Sequence, residues 1–286
     1  MPHASSPRTI DSMSDRPLAL IVRTAGTNCD AELVRAFELA GARAELLHVD
    51  RLVAEPALLD GADLIGFPGG FSYGDDIASG RMLAIKLRER LLDSLRAAVE
   101  RGAPIIGVCN GFQVLAQVGL LPGVARLSDP CASAEAPHSP CAPRPSVALA
   151  DNAGARFIDA WLGVNYPDSR CVWTRGLGSL DADAAILPIA HGEGRFIADD
   201  ATLDALEEHD QVAVRYRDNP NGSMRAIAGI SDPTGLILGL MPHPERFADW
   251  RQHPTWTRLD PSRFDQPTPG LRMFQNAVKH VAAVRV

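Results

Sequence analysis

The sequence predicts an α/β domain with a largely parallel sheet covered by helices on both faces. Three observations carry this. Short apolar runs of strand length recur along the chain, nearly continuous in character, as strands buried on both sides must be. Helix-compatible segments stand between them in units of about 30 residues, the spacing of right-handed βαβ crossovers. Glycines fall where those segments should stop, at Gly41 and Gly102.

Taken in order, Pro17–Arg23 is the first strand. Residues 29–40 follow with helical spacing through Leu33, Val34, Phe37 and Ala40. Ala44–Val49 is a second strand and Asp63–Phe67 a third, which runs directly into Pro68-Gly69-Gly70. Leu83, Leu87, Leu91, Leu95 and Val99 recur every four residues with charged residues between them, which predicts one long helix. Pro104–Val108 is again a strand, and Phe112–Val118 is helix-compatible. Further strand candidates are Val172-Trp173, Ala185–Ala190, Gln211–Tyr216, Ala226–Ile230 and Leu236–Met241. The run Asp218–Ser223 between two of them is a turn signal, and Leu271–Val284 predicts a C-terminal helix.

These elements occupy residues 17–286 as a single domain, preceded by a polar leader over residues 1–16 that is expected to be disordered. The stretch Ser128–Pro145, rich in Pro, Ala and Ser and without periodicity, reads as an exposed insertion. At 286 residues the chain is long enough to bury a large core without staples. Its 28 Lys+Arg against 35 Asp+Glu give a net charge of −7, which argues against nucleic acid or an anionic membrane as the main partner. No apolar run has the length of a spanning helix, and the leader lacks an apolar signal core. Five widely spaced cysteines form neither a disulfide framework nor a zinc pattern. The expected setting is therefore a reducing cytoplasm, with no metal on this chain.

The chemistry concentrates at Gly107-Val108-Cys109-Asn110-Gly111, where an apolar strand runs into a helix. This is the thiol form of a nucleophile elbow, a sharp strand-to-helix turn that lifts the nucleophile above the sheet. The flanking glycines fit because the elbow backbone crowds its neighbours. The start of the following helix brings partial positive charge beside the thiol. A thiol attacking a carbonyl needs an oxyanion hole. The N–H of Asn110 supplies one donor, and Pro68-Gly69-Gly70, at the end of another strand, can supply the second. Ligands of open α/β sheets bind outside such strand ends.

The thiol also needs a base held by an acid. Two His-x-Glu segments qualify, both at strand ends: Pro242-His243-Pro244-Glu245, in which an extended backbone would point both side chains the same way, and His191-Gly192-Glu193. Spacing alone leaves both open. Phosphate-binding glycine motifs are absent, so no nucleotide site is expected.

Together, Pro68-Gly69-Gly70, Gly107–Gln113 and Pro242–Glu245 resemble the triad-type, class I glutamine amidotransferases, whose fold is flavodoxin-like. With Gly26–Asp30, Gly69–Asp75, Ala190–Phe196, Asn219–Ser223 and Gly239–Arg246, the ordered set is most similar to the glutaminase subunits of phosphoribosylformylglycinamidine synthase, an enzyme of purine synthesis. The resemblance implies Cys109 as nucleophile, His243 and Glu245 as its partners, Gly70 and Asn110 at the oxyanion, and Gln113 in contact with substrate. It assigns the catalytic role to the Pro-flanked pair and leaves the His191 segment as a partner-facing or tunnel loop. It further implies glutamine as substrate and a separate synthetase carrying ATP and Mg, with a small accessory subunit. The alternatives are a stand-alone cysteine hydrolase or peptidase of related fold, and a non-catalytic docking subunit.

Overall fold

The computed structural model describes residues 16–75, 80–123 and 146–285. The insertion near 128–145 and nearly all of the leader lie outside the described residues.

Five strands pair in parallel. They are β1 (Leu18–Arg23), β2 (Arg43–His48), β3 (Leu64–Phe67), β4 (Ile105–Val108) and β11 (Ile237–Leu240), in the order β2-β1-β3-β4-β11. Every residue of β3, β4 and β11 is buried, as their unbroken apolar runs require. Helices cover both faces. A Cβ at Gly66 would stand 2.9 Å from the Leu33 side chain of α1 (Asp30–Leu39). Its neighbour Phe67 points the other way, and there Gly107, paired beside it, meets Leu115 of α5 (Asn110–Val118). The C-terminal helix α7 (Pro269–Val284) packs with α1 on the first face.

Beyond β11 the sheet turns antiparallel. β10 (Ile227–Ser231), β9 (Val212–Tyr216), β6 (Ile158–Asn165) and β7 (Ile186–His191) extend it to nine strands. Four successive reversals bring β7 back to the direction of β11, so its carboxyl end reaches the same edge of the sheet. A separate two-stranded sheet pairs β5 (Val147–Asp151) with β8 (Glu193–Ala198). The helix α2 (Val49–Ala54) follows β2, and α6 (Asp200–Glu208) is capped by the Asp199 carboxylate, which accepts from the Thr202 N–H at 2.7 Å.

Two sequence expectations change. The long leucine helix is two, α3 (Arg81–Arg90) and α4 (Leu92–Glu100), broken at Leu91. A repeat of four residues overshoots the helical turn by roughly 40° at each step, so a straight helix would carry the later leucines off the core. The break lets Leu83, Leu87, Leu91 and Leu95 all stay buried. Val172-Trp173 is a buried turn rather than a strand. The Trp173 indole N–H donates to the Leu236 carbonyl at 2.9 Å, and its ring packs edge-on against Phe37 and Phe274. Its apolar character reflects core packing, not strand pairing. Among the described residues no helix is long and apolar enough to cross a membrane.

Candidate active site

The carboxyl ends of β1, β3, β4, β11 and β7 all open on one edge of the sheet. There they line a cavity of about 660 Å³ that includes Cys29, Gly70, Cys109, Gln113, His191 and His243. The order of the strands reverses at β1 and β3, which is where an open α/β sheet splays its loops apart.

Cys109 links β4 to α5 with φ 51° and ψ −107°, a left-handed backbone that a β-carbon makes costly. The surrounding sheet holds it there. The Cys109 N–H donates to the Leu240 carbonyl at 2.8 Å, and a Cβ at Gly111 would lie 2.1 Å from the Phe67 carbonyl oxygen. Only glycine lets the helix start this close to β3. The Cys109 residue is 7% exposed, with its sulfur on the cavity wall, 3.9 Å from the carbonyl oxygen of Ala190.

His243 follows β11 and is locked by its own N–H, which donates to the Pro188 carbonyl of β7 at 2.8 Å. Its Nδ1 meets Glu245 Oε1 at 2.6 Å, both side chains being almost wholly buried. The expected contact exists, but not by the expected geometry. His243 is half-extended and Pro244–Arg246 form a single 3-10 turn, which folds Glu245 back onto the ring. Proline stiffens the start of that turn rather than an extended strand. Burial disfavours charge on the imidazole. The Glu245 carboxylate, with contributions from the Cys109 and Cys29 thiols, overcomes this and holds His243 well above the ordinary histidine range. Its Nε2 has no hydrogen bond of good geometry among the described residues, so the two thiols stand beside the ring without donating squarely to it.

The two oxyanion candidates are placed differently. Gly70 has φ 137° and lines the cavity, and its N–H donates to nothing among the described residues. Asn110 opens α5, so its N–H has no partner within the helix. Its side chain is tied elsewhere, Oδ1 accepting from the Ser72 N–H and Nδ2 donating to Gln113 Oε1 at 3.0 Å. Gln113 in turn donates to the Glu193 carbonyl at 2.9 Å. Gln113 therefore braces α5 against the β7–β8 turn, and keeps one N–H and one lone pair for the cavity.

His191 does not pair with Glu193. Its Nδ1 lies 3.1 Å from Asn152 Oδ1, and burial, with the positive field of His243, lowers its pKa to about 4. A neutral imidazole without a carboxylate cannot do the work of His243.

Sequence reading passed over two residues here. Cys29, read as one of five free thiols and as part of the Gly26–Asp30 motif but given no role, stands at the N-terminus of α1 and faces the same imidazole. It donates to Asn28 Oδ1 and accepts from Arg246 Nη2, each at 3.1 Å. Its place at the start of the helix that follows a parallel strand was the available signal. Asn152, the partner of His191, follows a strand that the sequence did not reveal, and no local pattern pointed to it.

The geometry is that of a thiol at an elbow, a carboxylate-held imidazole and free N–H groups at the ends of parallel strands. Comparison with known proteins gives that arrangement a lineage. Residues 16–281 match the family described as the CobB/CobQ-like glutamine amidotransferase domain. The fold and site thus define a glutamine amidotransferase. The chain is 40% identical over 269 residues to a Dehalococcoides mccartyi protein named phosphoribosylformylglycinamidine synthase subunit PurQ, covering 91% of this chain and 96% of that one. A Methanococcus maripaludis protein of the same name is 38% identical over 242 residues, covering 80% and 82%. Among solved structures, a chain of PurLQS from Thermotoga maritima is similar with a TM-score of 0.67 at 29% identity, covering 92% of this chain and 98% of that one. The chain belongs to the PurQ family of phosphoribosylformylglycinamidine synthase subunits.

Proposed function

We propose that this chain hydrolyses glutamine through a thioester on Cys109 and delivers the ammonia to a separate synthetase, which converts formylglycinamide ribonucleotide to formylglycinamidine ribonucleotide. The observation that carries the reading is the buried 2.6 Å contact between His243 and Glu245, with the Cys109 thiol against the same ring.

In the first step the Cys109 sulfur attacks the carboxamide carbon of glutamine, and a C–S bond forms. The negative charge that develops on the carbonyl oxygen falls between the N–H groups of Gly70 and Asn110. His243, kept protonated by Glu245, gives its proton to the amide nitrogen. The C–N bond breaks and ammonia leaves. Water then attacks the thioester while His243 takes one of its protons. The C–S bond breaks, glutamate departs and the thiolate is restored. The cavity wall carries Asp151, Asp159 and Glu193 as well as Arg156 and Arg246, a mixture of charge suited to a zwitterionic amino acid. ATP and Mg belong to the synthetase in this reading, and a small accessory subunit completes the assembly. On this chain the proposed steps run through Cys109, His243 and Glu245 and the backbone N–H groups of Gly70 and Asn110.

The test is Cys109→Ala in the complex reconstituted with the synthetase. Glutamine-dependent synthesis should vanish while synthesis from added ammonium salt continues at the wild-type rate. Survival of glutamine use would overturn the assignment.

A further inference from the structure

Cys29 takes no part in the mechanism above, yet it stands among the reacting groups. A Cβ built on Gly69 would lie 3.2 Å from Cys29 Sγ, 3.4 Å from Cys109 Cβ and 2.8 Å from His243 Cε1, so a single point touches all three residues. All three line the reaction cavity, and both thiols stand beside the His243 ring. One ligand atom from each of Cys29, His243 and Glu245 lies within 4.8 Å of the other two. The Cys29 sulfur is held in place by Asn28 Oδ1, to which it donates, and by Arg246 Nη2, which donates to it. Glu245 occupies His243 Nδ1 at 2.6 Å, which leaves Nε2 as the ring nitrogen for any other partner. That atom is shielded from bulk solvent and has no hydrogen bond of good geometry among the described residues, with the two thiols as its neighbours.

Two sulfurs and an imidazole, with a carboxylate fixing the far nitrogen of the ring, are the donor set that soft divalent cations select. We propose that Cys29, Cys109 and His243 form an inhibitory site for a zinc-like cation, bound through the two sulfurs and Nε2, with a water from the cavity as fourth ligand. Bond lengths of about 2.3 Å to sulfur and 2.0 Å to nitrogen set tetrahedral ligands roughly 3.5 Å apart, which small side-chain rotations reach from this cluster. The metal displaces the protons carried by the sulfurs and Nε2, which pass to solvent. Glu245 stays on Nδ1 and orients the ring. Magnesium, which demands oxygen ligands, does not compete for such a site. The site itself stands on geometry. Its inhibitory effect rests on the glutaminase reading above, in which a cation on Cys109 and His243 ties up the nucleophile and its acid together.

The experiment has a spectroscopic arm and a kinetic arm, both on the full chain with reduced thiols. For the first, Cys131 and Cys141 are changed to serine so that they contribute no sulfur, and cobalt(II) is titrated in. Thiolate-to-cobalt charge transfer should appear in the near ultraviolet, with visible bands of tetrahedral strength, saturating at one metal per chain. Cys29→Ser and Cys109→Ser should each remove about half of the charge-transfer intensity, since each takes away one of two sulfurs. Circular dichroism reports that both variants are folded. For the second arm, zinc is added to the chain with its synthetase partner. It should abolish glutamine-dependent synthesis, spare synthesis from ammonium salt, and be reversed by a zinc chelator, while added magnesium does nothing. In Cys29→Ser the zinc needed for half-inhibition, measured against that variant's own metal-free rate, should rise at least about tenfold, the smallest cost of disturbing a metal site's shell. Absence of the charge-transfer band, or the same zinc sensitivity in Cys29→Ser as in wild type, overturns the proposal. Metal-free turnover of glutamine tests the glutaminase reading on its own: cobalt bands that depend on Cys29 in a chain with no such turnover would uphold the site and sink that reading.

Discussion

Acid destabilises this fold through His191, and one substitution removes that part of the effect. The ring takes up its proton at about pH 4 in the folded chain, against 6.5 for an ordinary histidine, because it is buried first and lies in the positive field of His243 second. The unfolded chain therefore binds a proton near pH 6.5 that the folded chain refuses until near pH 4. Between those values the unfolded state holds more protons, and stability falls as pH falls. The contribution is fully present above pH 6.5 and gone by about pH 4. At roughly 1.4 kcal/mol per unit, the gap corresponds to about 3 kcal/mol. Urea unfolding at pH 7.5 and pH 4.5 measures it. His191→Gln keeps a donor for Asn152 but does not titrate, so the variant should lose about 2–3 kcal/mol less than wild type on acidification. The carboxylates titrate in both proteins and cancel in that comparison. An equal loss in both would refute the assignment of His191 as a neutral ring.

Other expectations follow from the same geometry. Glu245→Gln removes the charge that offsets burial of His243, so the imidazole pKa falls; glutamine turnover should drop about 10- to 100-fold, the scale of a lost charge-assisted hydrogen bond. The alkaline limb of kcat/KM against pH should move to lower pH, and an unmoved limb would count against the ion pair. Gly111→Ala sets a Cβ against the Phe67 carbonyl oxygen, a backbone atom that cannot swing away. Denaturant unfolding should register a loss of about 3 kcal/mol, at the upper end of overpacking costs. The corresponding readout for Cys109→Ala is the selective loss of glutamine-dependent synthesis described above.

Much of the fold was legible because the parallel strands carry their own signal. Leu64–Phe67, Ile105–Val108 and Ile237–Leu240 are buried on both faces, so they read as unbroken apolar runs. The site was legible for a related reason. Gly107, Cys109 and Gly111 answer to a turn only a few residues long, and His243 reaches Glu245 within one more. Strands β5, β6 and β8 were not legible. Most residues of β5 and β6 are half-buried or exposed and β8 mixes charged, glycine and apolar residues, so none of the three reads as an apolar run. The leucine repeat misled in a similar way, since a spacing of four is apolar enough for a helix but too long for a straight one.

By itself the sequence determined the apolar parallel strands of the core, the elbow that carries Cys109 and the carboxylate held next to His243, since each depends on residues close along the chain. Only the tertiary structure decided that four reversals would return β7 to the catalytic edge. It also decided that Cys29, 80 residues before Cys109, would share its imidazole, and that Asn152 would meet the ring of His191. Those pairings join segments tens of residues apart, and what brings them together is burial of the whole sheet rather than any local preference of the backbone.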